Sequence, residues 1–168
     1  SKALDVDRTL AHMRSIADAV RSGTLVGFSG QPITDIINVG IGGSDLGPMM
    51  LSRALSPYAS KALRVHFFSV CDKAYIDHQL SQLNPATTLV VVVSKSFTTQ
   101  ETLLNAQSIK DWMMASAGGW GAVAEQWFAV TAKMEKALEF GMPSANILPM
   151  WDWVGGRYSV WSAVSLAT

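Results

Sequence analysis

The spacing of apolar positions changes repeatedly along the chain. Between residues 5 and 21, Leu10, Met13, Ile16, Ala17 and Val20 recur at helical spacing, which predicts an amphipathic leader helix stopped by Gly23 with Arg21 in its last turn. A glycine-bearing loop over 24–32 follows. Short runs at 35–39, 64–70, 89–93, 127–131 and 146–150 predict strands, and helical patterns at 46–55, 75–83, 102–114 and 132–140 fall between them. The run Leu89, Val90, Val91, Val92, Val93 has no alternation, as a strand buried on both faces of a parallel sheet requires. Strands alternating with helices at this spacing predict an α/β fold: a three-layer αβα sandwich with a doubly wound, mainly parallel sheet. The expected organisation is a single domain, with a leader helix and loop over 1–34, a sheet core over 35–150, and a loop and truncated helix over 151–168.

Composition narrows the function. Charged residues make up 15% of 168 and apolar ones 49%, a low-charge balance expected where some surface meets further protein. The chain opens at Ser1-Lys2 and stops within an apolar stretch, so it is expected to be a piece of a longer protein. Thirteen basic and thirteen acidic residues cancel, without the basic excess of a nucleic-acid binder. No apolar run approaches the roughly 20 residues of a membrane span, and no secretory signal heads the chain, so a cytoplasmic protein is expected. The single cysteine, Cys71, excludes an internal disulfide and is expected to be a small buried thiol near a strand end. His12, His66 and His78 are scattered without metal-ligand spacing, so no metal is expected.

Chemistry concentrates at three loops. Ser94, Lys95, Ser96, Thr98 and Thr99 follow the 89–93 strand directly, and the carboxyl ends of strands are where open α/β sheets bind ligands. Hydroxyls, one cation and the free N–H groups of a following helix suit a phosphate monoester. Thr98 and Glu101 have the spacing of a capping box, a reading compatible with the anion site. The second loop is Gly40-Ile41-Gly42-Gly43-Ser44-Asp45-Leu46-Gly47, after the 35–39 strand. Its glycines let a ligand approach the backbone and Ser44 is a natural N-cap, but the spacing matches neither a dinucleotide fingerprint nor a Walker A loop. It is a phosphate cradle or a tight structural turn, with Asp45 expected to face away from any anion or to bond local backbone. The third is Trp151-Asp152-Trp153-Val154-Gly155-Gly156-Arg157-Tyr158-Ser159, which offers Arg157 either to a ligand or to Asp152, ahead of an apolar helix start at Val160.

With these loops the chain resembles the glucose-6-phosphate isomerase family from end to end, over about a third of that family's length, corresponding to its first sugar-isomerase domain. The resemblance implies that Gly43 and Ser44 touch the sugar phosphate and that Ser94, Lys95, Ser96 and Thr99 hold the phosphate. It implies that Arg157 steadies the charge developing on a cis-enediolate as a proton moves between C1 and C2. Glu101 matches a family glutamate near the site that is not the base. The base, another glutamate, and the ring-opening histidine and lysine are implied to lie beyond Thr168, and the family's site is completed across a dimer. Ser96 stands where many members carry threonine, and Ser165 where glycine is usual. No metal or cofactor is implied.

The expected function is therefore the phosphosugar-binding domain of an enzyme interconverting glucose 6-phosphate and fructose 6-phosphate, this piece alone binding weakly without turnover. One rival is a non-enzymatic sugar-isomerase module that senses a phosphosugar, against which the Gly155-Gly156-Arg157 segment argues. Another is a nucleotide-binding dehydrogenase domain with Asp72 as the ribose-binding acid, against which the missing third glycine argues.

Overall fold

The computed structural model describes residues 2–168. Five strands form one parallel sheet: β1 (Asp35–Val39), β2 (Arg64–Phe68), β3 (Thr88–Val93), β4 (Trp127–Thr131) and β5 (Ile147–Pro149), in the order β2-β1-β3-β4-β5. The chain leaves β1 toward β2, then returns past β1 to build β3, β4 and β5 outward. The reversal lies between β1 and β3, paired in register from Asp35↔Thr88 to Val39↔Val92. Every residue of β3 is buried, as the unbroken apolar run requires.

The pleat sends alternate side chains to two cores. Val90, Val92, Ile37, Trp127 and Ala129 meet α3 (Lys73–Leu80), α4 (Gln100–Ala117), α5 (Trp120–Val123) and α6 (Met134–Phe140). Val91, Val93, Ile36, Phe128 and Leu148 meet Ile16 and Val20 of α1 (Lys2–Arg21), together with Val154 and Val164 from the C-terminal turns. The predicted three-layer sandwich is thus formed. Gly118 and Gly141 end α4 and α6 with φ of 82° and 103°, the left-handed conformation that glycine adopts without penalty.

Four expectations are corrected. The helix after the glycine loop, α2 (Gly43–Ala54), begins earlier than predicted, so its N-cap is Gly42 and Ser44 lies inside the first turn. The residues around 160 form no α-helix but two 3-10 turns, Gly156–Trp161 and Ala163–Ser165. Ser159 and Ser162 donate their hydroxyls to the carbonyls three residues back, Gly156 and Ser159, at 2.6 Å each, a local bond that competes with the α ladder. Cys71 is exposed rather than buried, because β2 ends at Phe68 and the chain has already left the sheet. The small-residue break near residue 120 contains the one-turn helix α5, whose Trp120 stacks edge-on to Trp127.

Asp35 opens β1 fully enclosed, taking Arg64 Nη2 and His66 Nε2 at 2.8 Å each and the Thr34 hydroxyl at 2.8 Å. The parallel register sets Arg64 opposite Asp35, which brings this cluster together. Among the described residues no helix is long and apolar enough to cross a membrane, and no three His, Cys, Asp or Glu side chains gather as a metal site.

Candidate functional site

The carboxyl ends of β1, β3 and β4 open into one cleft of about 380 Å³, at the point where the strand order reverses. Ligands of doubly wound sheets bind at this position, because neighbouring loops diverge there and leave a crevice. The loop after β1 contributes Ile41, Gly43 and Ser44; the loop after β3 contributes Ser94, Lys95, Ser96 and Thr99. Gly156 and Asp152 close one side.

Each loop is held from below. Asn38, completely buried in β1, donates Nδ2 to the Ser44 carbonyl at 3.0 Å and so fixes the glycine turn. The Ser94 N–H extends the ladder to Val130 O at 3.1 Å, and Ser94 Oγ accepts the Phe97 N–H at 3.1 Å. Phe97 has φ 51°, the one positive value at a non-glycine residue among those described, and its buried ring meets Phe140 edge-on at 6.0 Å. Burial of that ring offsets a backbone conformation that costs about 1–3 kcal/mol. The turn it makes brings Ser96 and Thr99 to the same cleft.

The capping box is not formed. Helix α4 takes Thr99 as N-cap with no side-chain cap bond, which puts Glu101 at the second helical position and Thr102 at the third. Thr98 donates its hydroxyl to Ser96 Oγ at 2.8 Å, and Thr99 Oγ1 lies 3.4 Å from Ser94 Oγ. The first N–H groups of α4 therefore keep their bonding capacity and their partial positive charge, which favours an anion at this end.

Lys95 is not simply solvated. Its Nζ donates to Asp152 O at 2.7 Å and Val154 O at 3.2 Å, tying the β3 loop to the tryptophan loop. Its own carbonyl accepts the Ala132 N–H at 3.0 Å and the Thr131 hydroxyl at 3.2 Å, tying it also to β4. Trp151 and Trp153 stack with centroids 5.2 Å apart. Asp45 is buried with Oδ1 lacking a hydrogen-bond partner, and burial pushes its carboxyl above the usual range. Facing inward to protein rather than to local backbone, it departs from one of its two expected roles.

Of the residues singled out from sequence, Gly43, Ser44, Ser94, Lys95, Ser96 and Thr99 meet at the cleft. Thr98 and Arg157 are exposed and do not line it, and Arg157 forms no ion pair with Asp152. Two residues that line it were missed. Thr102 lines the cleft and is buried with a hydroxyl, a donor and acceptor, that has no partner. Lys133 follows β4; the carboxyl-end rule applied to that strand as well as to β3 would have found it.

A parallel sheet whose order reverses over a hydroxyl-rich, helix-headed cleft defines a doubly wound ligand-binding domain. The family model described as phosphoglucose isomerase matches residues 2–168, so the chain belongs to that family. It is 51% identical over 162 residues to the glucose-6-phosphate isomerase of Shewanella sediminis, covering 96% of this chain and 30% of that protein. It is 50% identical to glucose-6-phosphate isomerase 1 of Chromobacterium violaceum over 96% of this chain and 29% of that protein. The chain thus spans about 30% of the length of these curated relatives. The crystal structure of a glucose-6-phosphate isomerase from Chlamydia trachomatis superposes with a TM-score of 0.74 at 27% identity, over 98% of this chain and 30% of that one.

Proposed function

We infer that this chain is the phosphosugar-binding sugar-isomerase domain of a glucose-6-phosphate isomerase that interconverts glucose 6-phosphate and fructose 6-phosphate. The observation that carries the reading is the meeting, at one crevice, of an uncapped helix N-terminus with Lys95 and the Ser44, Ser94, Ser96 and Thr99 hydroxyls. In this reading the phosphate sits at the head of α4, where N–H groups and hydroxyls donate to its oxygens. Gly43 meets the sugar phosphate from the cleft wall, its missing side chain letting that wall close on Gly156, and Thr98 supports the phosphate loop through Ser96.

Arg157 is assigned to steadying the cis-enediolate as the proton moves between C1 and C2. Its exposed side chain has the freedom to reach a sugar extending out of the cleft. The chemistry is acid–base proton transfer without metal or cofactor, and the base and ring-opening groups are assigned to other parts of the enzyme and to a second subunit. The rival dehydrogenase reading is weakened by Asp72, whose carboxylate accepts the Tyr75 N–H at 2.8 Å and so caps α3.

The test is calorimetric titration of the purified chain with fructose 6-phosphate, alongside Lys95→Ala and NAD. Binding that Lys95→Ala abolishes, with none to NAD, supports the reading; NAD binding in preference to the phosphosugar overturns it. A coupled isomerase assay on the same sample is expected to show no turnover.

A further inference from the structure

Lys133 is a charged group of the cleft that the proposed function leaves without a role. It lines the cleft with Lys95 and Asp152. The Lys95 ammonium has three N–H donors, and two are already engaged by the Asp152 and Val154 carbonyls. A phosphate monoester at neutral pH carries nearly two negative charges on three acceptor oxygens. One remaining donor serves it poorly, and the Asp152 carboxylate on the same rim offsets the Lys95 charge.

Lys133 supplies what is lacking. Its Nζ makes no hydrogen bond or ion pair among the described residues, while its backbone is fixed by an N–H bond to Thr131 Oγ1 at 3.0 Å and by the Lys136 N–H bond to its carbonyl at 3.1 Å. The backbone is anchored, and the exposed side chain carries an uncommitted ammonium. With Lys133 the charged side chains of the cleft sum to one positive charge; without it they sum to zero. The unpartnered, buried Thr102 hydroxyl lines the same space and independently points to a ligand there.

We propose that Lys133 is a second phosphate-binding cation of this cleft, the residue that sets its strength for dianionic monoesters. The proposal rests on the phosphosugar reading above. The experiment is titration of the wild-type chain, Lys133→Gln and Lys133→Arg with fructose 6-phosphate, at about 50 and about 200 mM salt, where screening differs. Lys133→Gln is expected to bind about tenfold more weakly at low salt, with a shallower salt dependence, and Lys133→Arg to bind nearly as wild type does. Thermal melts of all three should coincide, because the side chain holds no structural partner.

Lys133→Gln binding as tightly as wild type with the same salt dependence, while Lys95→Ala still weakens binding, overturns the role of Lys133 and leaves the phosphosugar reading standing. Absence of fructose 6-phosphate binding by the folded wild-type chain overturns both.

Discussion

Gly43 and Gly156 meet backbone to backbone: a Cβ placed on Gly43 would lie 2.2 Å from the Gly156 carbonyl oxygen and 2.7 Å from its carbon. This approach presses the loop after β1 against the tryptophan loop, so the two walls of the cleft are set by the absence of one methyl group. Gly43→Ala must separate them. Overpacking of this kind costs about 1–3 kcal/mol, so the variant should melt several degrees lower and bind fructose 6-phosphate more weakly. Gly156→Ala is the control, since its Cβ would meet nothing within 4 Å; equal melting temperatures for the two variants would refute the contact.

Asp35 makes stability depend on acid. Burial alone would raise its carboxyl, but hydrogen bonds from Arg64, His66 and Thr34 outweigh burial and hold it below the usual range. A depressed folded value contributes stability that is present above the unfolded value, about 3.9, and is lost as pH falls through the folded one. Urea denaturation midpoints should therefore fall steeply below about pH 4. Asp35→Asn should flatten that limb while lowering stability at neutral pH, because Arg64 and His66 lose a charged acceptor.

Asp45 has the opposite sign. Burial lifts its folded carboxyl above the unfolded value, outweighing contributions from Ser69 and Arg53 that lower it. Its favourable contribution is present below the unfolded value and is lost as pH rises through the folded one. Asp45→Asn is expected to gain stability at pH 7 and to match wild type near pH 3 in the same denaturation series. A variant less stable than wild type at both pH values would contradict this.

Gln126, immediately before β4, ties the 24–32 loop to the stretch that leads into β3. Buried between β3 and β4, it accepts the Phe28 N–H at 2.7 Å and donates to Thr88 O at 2.6 Å and Pro85 O at 3.0 Å. Gln126→Leu leaves all three backbone groups without that partner. A loss of about 3 kcal/mol or more is expected, since three groups lose their partner and each unsatisfied buried group costs about 1–3 kcal/mol. Hydrogen exchange should rise first at the Phe28 amide, on the 24–32 loop that the side chain anchors.

How far the residues alone led can be judged at particular positions. The central strand was legible because burial on both faces has a distinctive sequence: Leu89, Val90, Val91, Val92, Val93 admits no amphipathic helix and no exposed strand, whereas the half-exposed edge strand β2 was read from a short apolar run. The hydroxyl cluster after β3 was legible for the same reason, since the end of that run places it at the carboxyl edge. The local failures concern where a helix starts and which kind of turn forms. Thr98 and Glu101 have capping-box spacing, yet α4 starts one residue later because Phe97 turns left-handed to bury its ring, a demand set by Phe140 across the core. The 3-10 turns near residue 160 replace a helix because Ser159 and Ser162 bond backward to the carbonyls of Gly156 and Ser159, which apolar spacing does not reveal.

By itself, then, the sequence determined the alternation of strands and helices, the double winding and the chemistry of three loops, because each follows from periodicity and residue type within a short window. Tertiary structure decided which loops share a crevice. The reversal of strand order between β1 and β3 brings Ser44 beside Ser94, the Gly43–Gly156 contact adds the tryptophan loop, and β4 brings Lys133 alongside. Arg157 was equally prominent in sequence and stands outside the cleft. These placements arise from pairing between residues far apart in the chain, and no local pattern encodes which side chains that pairing makes neighbours.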